Sequence, residues 1–551
     1  MTLCCRIRRY VHVTFLTNSH SLASFSFAPN TKSISSSVHK IDGAIASFTH
    51  IINKHHAPSE FEINKILGFL IKMKHYPTVT SLVAKMEFRG ITPFMVTLNI
   101  LINCYCHLGK MGFAFSVLVK IIKMGYQLNT ITLNTIMKGL CINGEVRKAL
   151  EFHDGVRAKG FLLDEVSYGT LINGLCKIGQ TSAAIELLQK LERQPFKVNI
   201  VMYNTVIDGL CKDGLVTEAR DLFSEMIARG ISPDVFTYSS LIHGLCCLGQ
   251  LKEADRLVNE MVQNNVNPDV YIFNILIDAL CKEGRIREAQ NMFDMMLERG
   301  HKPDVVSYCS LIDGYFLINE VNEARMLFDE MIERGLTIEV WCYSIMINGY
   351  CKNKRVDEAM TLFKEMKQRN LVPNTITYNS LIDGFCKLGR ISCVQDLLYE
   401  MHASGQRPNV VTYSILLDAL CKTQHLDEAI ALFQRIVDKG ICPNAYGFII
   451  LIDGLCKGGR LKTAQELFHH LLINGYRLNV MTYTAMISGL CKEGLFDEAV
   501  TFLSIMDDNG CFPDAVTYEI FIKALLQKNE YGMAEKLLRE MISRGLLKKL
   551  R

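Results

Sequence analysis

Apolar and polar residues follow one another along most of this chain with the beat of amphipathic helices, interrupted at regular places. In the stretch Val410–Asn444 (VVTYSILLDALCKTQHLDEAIALFQRIVDKGICPN), Tyr413, Leu416, Leu417 and Leu420 recur at helical spacing. Leu426, Ala429, Ile430 and Phe433 do so again after a short polar break. The pattern predicts two helices in a hairpin, and it returns 35 residues later. Proline followed by Asp or Asn marks the period at Pro233, Pro268, Pro303, Pro373, Pro408, Pro443 and Pro513, at intervals of 35 residues or multiples of it. Counted from Glu60, the repeat runs fourteen times to Lys549 without insertion or deletion. Strict self-similarity at this period predicts an all-α solenoid, in which each helix-turn-helix repeat buries its apolar face only against its neighbours.

Single columns of the repeat carry local instructions. The twentieth position is Ala in twelve repeats, which predicts close helix approach within the hairpin. The thirty-first is Gly in eleven repeats and Asn in two, Asn265 and Asn370, as a left-handed helix C′ site requires. Pro195 is the exception, and a distorted helix end is expected there. The proline that follows two or three residues later stops the helix and sets the turn. Ile41–Phe48 (IDGAIASF) echoes Leu426–Phe433 (LDEAIALF) in phase, so residues 39–59 are expected to form a lone helix capping the N-terminal end of repeats 60–549.

Length adds that a single core is excluded, since 551 residues exceed the ~250–300 at which one core stops growing. Hydrophobic residues at 49% and charged residues at 21% describe a folded chain. A net charge of +4 points to no acidic partner by itself, so a nucleic-acid binder would have to localise its positive charge. Residues 1–38 hold no Asp or Glu, carry Arg6, Arg8 and Arg9, and are rich in serine from Ser19 to Ser37. That is the composition of an organelle transit peptide, with a disordered tail as the plain alternative. Arginines close to Met1 favour the mitochondrion over the plastid. The uncharged run Gly90–Gly109 is broken by Pro93, Asn99 and Asn103, and no membrane span is expected.

Twenty cysteines suggest a disulfide framework until their places are compared. Eleven occupy the twelfth position of their repeats, from Cys106 to Cys491, and no C-x-x-C occurs. Neither Cys104/Cys106 nor Cys246/Cys247 has a partner pair at zinc spacing. They read as packing thiols in a reducing compartment, with no metal and no cofactor. A methionine column at the twenty-seventh position, Met226 and Met261 among its members, reads as core filling.

The 35-residue length, the V-T-Y-N/S/T start, the G-L-C-K segment, the D-E-A motif and the terminal G-x-x-P-D/N resemble the pentatricopeptide repeat (PPR) family, in its P class, over residues 60–549. The uniform spacing and the cysteine column resemble its restorer-of-fertility-like subgroup of plant mitochondrial members. The tetratricopeptide family, with a 34-residue period, fits poorly. The resemblance implies a right-handed α-solenoid superhelix that binds single-stranded RNA sequence-specifically, one base per repeat, each base read by two or three side chains.

Two polar columns vary where their neighbours are fixed. The fifth position is Asn99, Asn134, Asn204, Asn274 and Asn379 in some repeats and Ser239, Ser344, Ser414 and Thr484 in others. The thirty-fifth is Asp164, Asp234, Asp269, Asp304 and Asp514, or else Asn129, Asn199, Asn374, Asn409, Asn444 and Asn479. Helix N-capping accounts for Asp and Asn at the thirty-fifth position but not for a second variable column beside it. An Asp carboxylate accepts the N–H that U and G present on the Watson–Crick edge, whereas an Asn amide donates to the ring nitrogen of A and C. Short Ser or Thr at the fifth position leaves room for a purine, and longer Asn reaches a pyrimidine. With the parallel polarity that the resemblance implies, the pairs read 5′-?-Y-U-?-U-G-U-?-A-Y-A-?-G-?-3′, about 14 nucleotides. Gly169, Cys309 with Glu339, and Ile449 leave their bases unassigned, while Asn64 with Phe94 and Glu519 with Lys549 look like end caps.

Base stacking is expected from the second position, above all from Phe236, Tyr271, Trp341 and Tyr446, at ~1–3 kcal/mol per base. Inter-repeat core is the alternative for that column. Lys177, Lys212, Lys282, Lys352, Lys387, Lys422, Lys457 and Lys492 share the thirteenth position and suggest a stripe for phosphates, with a solvated helix face as the plain alternative. The chain has no H-x-E with C-x-x-C deaminase signature and no clustered carboxylates for metal-dependent cleavage, and only Leu550 and Arg551 follow the repeats, so no enzyme is expected. The expectation is a monomeric clamp on single-stranded organelle RNA, acting in processing, stabilisation or translation control. A separate nuclease or ribosome-associated factor would act beside it. A protein-binding scaffold is the other use of such a solenoid.

Overall fold

The computed structural model describes residues 31–53, 59–193, 198–438, 445–473, 476 and 478–546. Among these there are 29 helices and no strand. They alternate as first and second helix of each repeat, almost all of thirteen residues, as in Val235–Cys247 with Leu251–Gln263 and Val340–Lys352 with Val356–Gln368. The chain divides into two compact halves, Met1–Ser307 and Tyr308–Arg551, each an α-solenoid. Within each half, successive first helices pack on one another, and a second helix packs on its own first helix and on that of the next repeat.

The repeated columns explain this stacking. Alanines of the twentieth position, Ala114, Ala219, Ala324 and Ala429 among them, are fully buried. A Phe at the twenty-fourth position meets the Tyr at the fourth position of the next repeat edge to face, with centroids 5.5 Å apart in Phe223–Tyr238 and 5.4 Å in Phe328–Tyr343. The buried Tyr hydroxyl needs a partner, and a Glu of its own second helix supplies one, as in Tyr343–Glu365 (2.9 Å) and Tyr518–Glu540 (2.8 Å). Other repeats carry Leu or Val in place of the Phe, and repeat 3 alone carries a polar residue there. His153 replaces the Phe and meets Tyr168 edge-on, and its Nε2, buried, has no hydrogen-bond partner among the described residues. A cavity of about 150 Å³ lined by Leu150, His153, Tyr168, Leu187 and Leu191 opens beside it.

The cysteine column is a set of knobs. A Cβ built on Gly174 would fall 2.5 Å from Cys141 Sγ, on Gly209 2.9 Å from Cys176 Sγ, and on Gly244 2.8 Å from Cys211 Sγ. These thiols thus fill holes left by the glycine at the tenth position of the following repeat, which accounts for both the G and the C of G-L-C-K, while Cys246, Cys386 and Cys491 are followed by Ala279, Ala419 and Ala524 at that place. Burial pushes these thiols up, to about 11 for Cys106 and Cys176 and about 12 for Cys211 and Cys491.

Left-handed backbone occurs at the thirty-first position as expected, with φ of 75° at Gly230, 59° at Asn265 and 58° at Asn370. A second left-handed column was not anticipated. It closes each first helix at the fifteenth position, where Lys74, Lys354 and Gln424 adopt it as well as glycines. The next N–H then turns back onto the helix, as from Arg355 to the Tyr350 carbonyl at 2.9 Å, a Schellman closure. Pro195 lies outside the described residues, and the helix before it, Thr181–Glu192, is one residue shorter than its counterparts.

The helix ahead of the repeats spans Thr31–Ile52, and Ile41, Phe48 and Ile52 are buried with Ile63 and Leu67 of the first repeat. It thus overlaps residues 31–38 of the segment expected to be a transit peptide, and residues 1–30 lie outside the described ones. No helix among the described residues is long and apolar enough to cross a membrane, and no group of three or more His, Cys, Asp or Glu there could hold a metal ion.

Candidate nucleic-acid interface

The fifth and thirty-fifth positions, far apart within a repeat, meet where one first helix begins beside the previous one. In repeat 5, Asn204 Nδ2 donates to Asp234 Oδ1 at 3.0 Å. The same bond joins Asn134 to Asp164 (3.0 Å), Asn274 to Asp304 (3.1 Å) and, more loosely, Asn379 to Asn409 (3.4 Å). Asn99 instead accepts from Thr132 Oγ1 at 2.8 Å.

The thirty-fifth residue also caps the next helix. Oδ1 of Asn129, Asp164, Asn199, Asp234, Asp269, Asp304, Asn374, Asn409, Asn479 and Asp514 accepts the backbone N–H three residues on, at 2.9–3.1 Å. Capping therefore consumes one oxygen and leaves the other end of each side chain. Asp keeps Oδ2, an acceptor, and Asn keeps Nδ2, a donor. Neither Oδ2 of Asp164, Asp234, Asp269, Asp304 and Asp514 nor Nδ2 of Asn129, Asn374 and Asn479 is bonded among the described residues. The exception is Asn199, whose Nδ2 donates to Glu165 Oε2 at 2.6 Å. Glu339 makes no side-chain cap, and Asn444 lies outside the described residues. Desolvation raises the Asp164 carboxyl, but hydrogen bonds from Asn134 and Ser167 outweigh it and hold the group below the usual carboxylate range.

The short fifth-position residues bond inward. Ser239, Ser344, Ser414 and Thr484 donate to the carbonyls of Val235 (2.6 Å), Val340 (2.9 Å), Val410 (2.9 Å) and Val480 (2.8 Å). Their contribution at the surface is space rather than a donor. Cys309 stands against Cys342, and a hydrogen bond from it lowers the Cys342 thiol.

The second-position side chains lie on the surface. Phe236 is 75% exposed and Tyr271 51%, and Val166 and Val201 are similarly open, so at these places the column is not core. Trp341 is half-buried, and the Tyr446 side chain lies outside the described residues.

The lysine column divides. Lys212, Lys422 and Lys457 pair at 2.5 Å with Asp208, Asp418 and Asp453 one turn earlier on the same helix, and Lys282 and Lys387 pair with Asp278 and Asp383. Lys177, Lys352 and Lys492 have Asn173, Asn348 and Ser488 at that place and form no ion pair among the described residues. The signal was legible as D-x-x-x-K in the sequence, and it was missed.

The model of the PPR repeat family matches residues 93–142, 128–177, 198–247, 248–281, 268–317, 304–352, 338–387, 373–422, 408–457, 447–492 and 478–527, and the single PPR repeat matches 166–196 and 516–546. The chain belongs to the PPR repeat family. Two pentatricopeptide repeat-containing proteins of Arabidopsis thaliana, both named mitochondrial, are 38% identical to it over 88 and 87 residues. Those stretches cover 16% of this chain and 14% of each relative, so the matched part is a small fraction of the curated relatives' length. Among solved structures, PPR10 from maize is similar at 20% identity and a TM-score of 0.41, covering 88% of this chain and 84% of that one. PPR10 in complex with an 18-nt psaJ RNA element is similar at 20% identity and a TM-score of 0.46, covering 92% and 87%.

Proposed function

We propose that this PPR protein binds single-stranded RNA sequence-specifically, one base per repeat, each base read by the fifth and thirty-fifth residues of a repeat. The observation that carries the proposal is the division of labour within the thirty-fifth side chain. One oxygen is spent on the helix cap, and the remaining end is an acceptor in Asp and a donor in Asn, the chemical distinction needed to separate U and G from A and C. Exposed Phe236 and Tyr271 suit stacking against unpaired bases. A protein scaffold would have no use for so regular a toggle.

The proposal extends to a P-class, restorer-like protein with a leader in residues 1–38, a capping segment in 39–59 and repeats in 60–549. The leader composition and the mitochondrial names of its relatives favour that organelle. It acts as a monomeric, non-enzymatic clamp, and any cleavage belongs to a separate nuclease. Binding of the purified chain to RNA carrying the deduced string should exceed binding to a shuffled RNA of equal composition by about tenfold or more at moderate salt. Equal binding would sink the base-reading proposal.

A further inference from the structure

A third side chain completes the reading pairs that have Asn at the fifth position, and it comes from the neighbouring repeat. Thr132 Oγ1 lies 2.8 Å from Asn99 Oδ1, Ser167 Oγ 2.5 Å from Asn134 Oδ1, and Thr237 Oγ1 2.6 Å from Asn204 Oδ1. Ser307 and Thr412 stand likewise 2.6 Å and 2.7 Å from Asn274 and Asn379. All five hydroxyl residues occupy the third position of their repeats and are fully buried, so none can touch a ligand.

The pairing is also written in the sequence, in one direction. Every Asn at the fifth position, Asn64 included, faces Thr or Ser at the third position of the following repeat. Non-hydroxyl residues there face something other than Asn: Met202 faces Gly169, Ile272 faces Ser239, Cys342 faces Cys309 and Gly447 faces Ser414. A primary amide can turn end for end at little steric cost, exchanging donor for acceptor. A hydroxyl donating to Oδ1 favours one of the two orientations, since its oxygen already accepts the backbone N–H of the thirty-fifth residue, as from Asp234 N (3.1 Å) and Asn409 N (3.1 Å).

We infer that the third residue of each repeat is a positioning residue that locks the amide of the preceding repeat's fifth-position Asn, and so sets the preference for a pyrimidine at the base that Asn reads. This rests on the base-reading proposal above. Where the thirty-fifth residue is Asp, the carboxylate already accepts from Nδ2 and holds the amide from the other end. Where it is Asn, as in Asn379 with Asn409, that hold is weak at 3.4 Å and the hydroxyl is decisive.

The test measures affinity of the full chain for RNAs that differ only at one base. Thr412→Val should lower the pyrimidine-over-purine ratio at the tenth base by about fivefold, with ratios at other bases unchanged, and Thr412→Ser should retain the ratio. Thr237→Val should have the smaller effect at the fifth base, because Asp234 still holds Asn204. A partly unfolded sample lowers all affinities alike and leaves ratios intact. Should Thr412→Val not fold, Thr132→Val reports the same effect at the second base. A wild-type ratio in the Val variants, or an equal loss in Thr412→Ser, overturns the inference alone. A wild-type chain indifferent to that base overturns the base-reading proposal along with it.

Discussion

Asp234 does two jobs with two oxygens, and the jobs can be separated by substitution. Asn caps a helix as well as Asp does, so Asp234→Asn should leave thermal stability nearly unchanged while shifting preference at the fifth base from U toward C. Unchanged preference in a base-substitution binding series would reduce Asp234 to a cap. Asp234→Ala loses the bond to Thr237 N (3.0 Å) and should cost about 0.5–2 kcal/mol in denaturant unfolding. His153 offers the opposite change. Phe at that place reaches into the cavity, keeps the edge-to-face contact with Tyr168 and removes an unpartnered buried nitrogen, at the loss of the Nδ1–Asp154 hydrogen bond (2.9 Å). His153→Phe should raise stability by about 1 kcal/mol, read as a higher urea midpoint at unchanged slope. Residue types at the two toggling positions were legible in the sequence because a polar residue that varies inside an apolar helix start is conspicuous. The buried hydroxyl at the third position was not, because Thr in V-T-Y passes for an ordinary helix-start residue until its partner 33 residues earlier is seen beside it.

At the scale of helices, neighbours are locked by thiols seated in glycine notches. Gly209→Ala would bring a Cβ to 2.9 Å from Cys176 Sγ and should cost about 1–3 kcal/mol, less than that in the double variant with Cys176→Ala, where a double-mutant cycle should show coupling. The low end of that range is expected, since Ala279 already occupies the glycine column. The same burial makes the fold sensitive to alkali. Unfolded thiols ionise near 9.0, whereas in the folded chain burial pushes Cys211, Cys421 and Cys491 up to about 12. Their contribution is therefore fully present below about pH 9 and is lost as pH rises toward 12. Urea midpoints should fall between pH 9 and pH 12, and alkylation of the native column cysteines at pH 8 should be slow. Helix positions and the Gly/Asn stop at the thirty-first place were readable from period and turn chemistry. The left-handed stop at the fifteenth was obscured because Lys74, Lys354 and Gln424 fill it, residues that give no hint of positive φ.

Across the whole molecule, the uninterrupted 35-residue period was sufficient to derive the solenoid, because a repeat with one apolar face has nowhere to bury it except against its copies. Charge was harder to read. A lysine column suggested an even stripe, but acids one turn away neutralise five of the eight members from Lys177 to Lys492. Phosphate affinity should then rest unevenly on Lys177, Lys352 and Lys492. Replacing those three with Gln should flatten the slope of log affinity against log salt by about 2, whereas Gln at Lys212, Lys387 and Lys457 should flatten it less. Equal flattening in a salt titration would show that RNA displaces the acids freely. The seam between repeats has a practical corollary for anyone recombining this chain. The cap bond and the buried hydroxyl reach across the border counted at each thirty-fifth residue, whereas the toggling pair lies wholly before it, so a chimera spliced at that border takes the pair from one parent and the hydroxyl that holds it from the other. A splice placed after the third residue of a repeat, past Thr237 for instance, transplants a base preference intact.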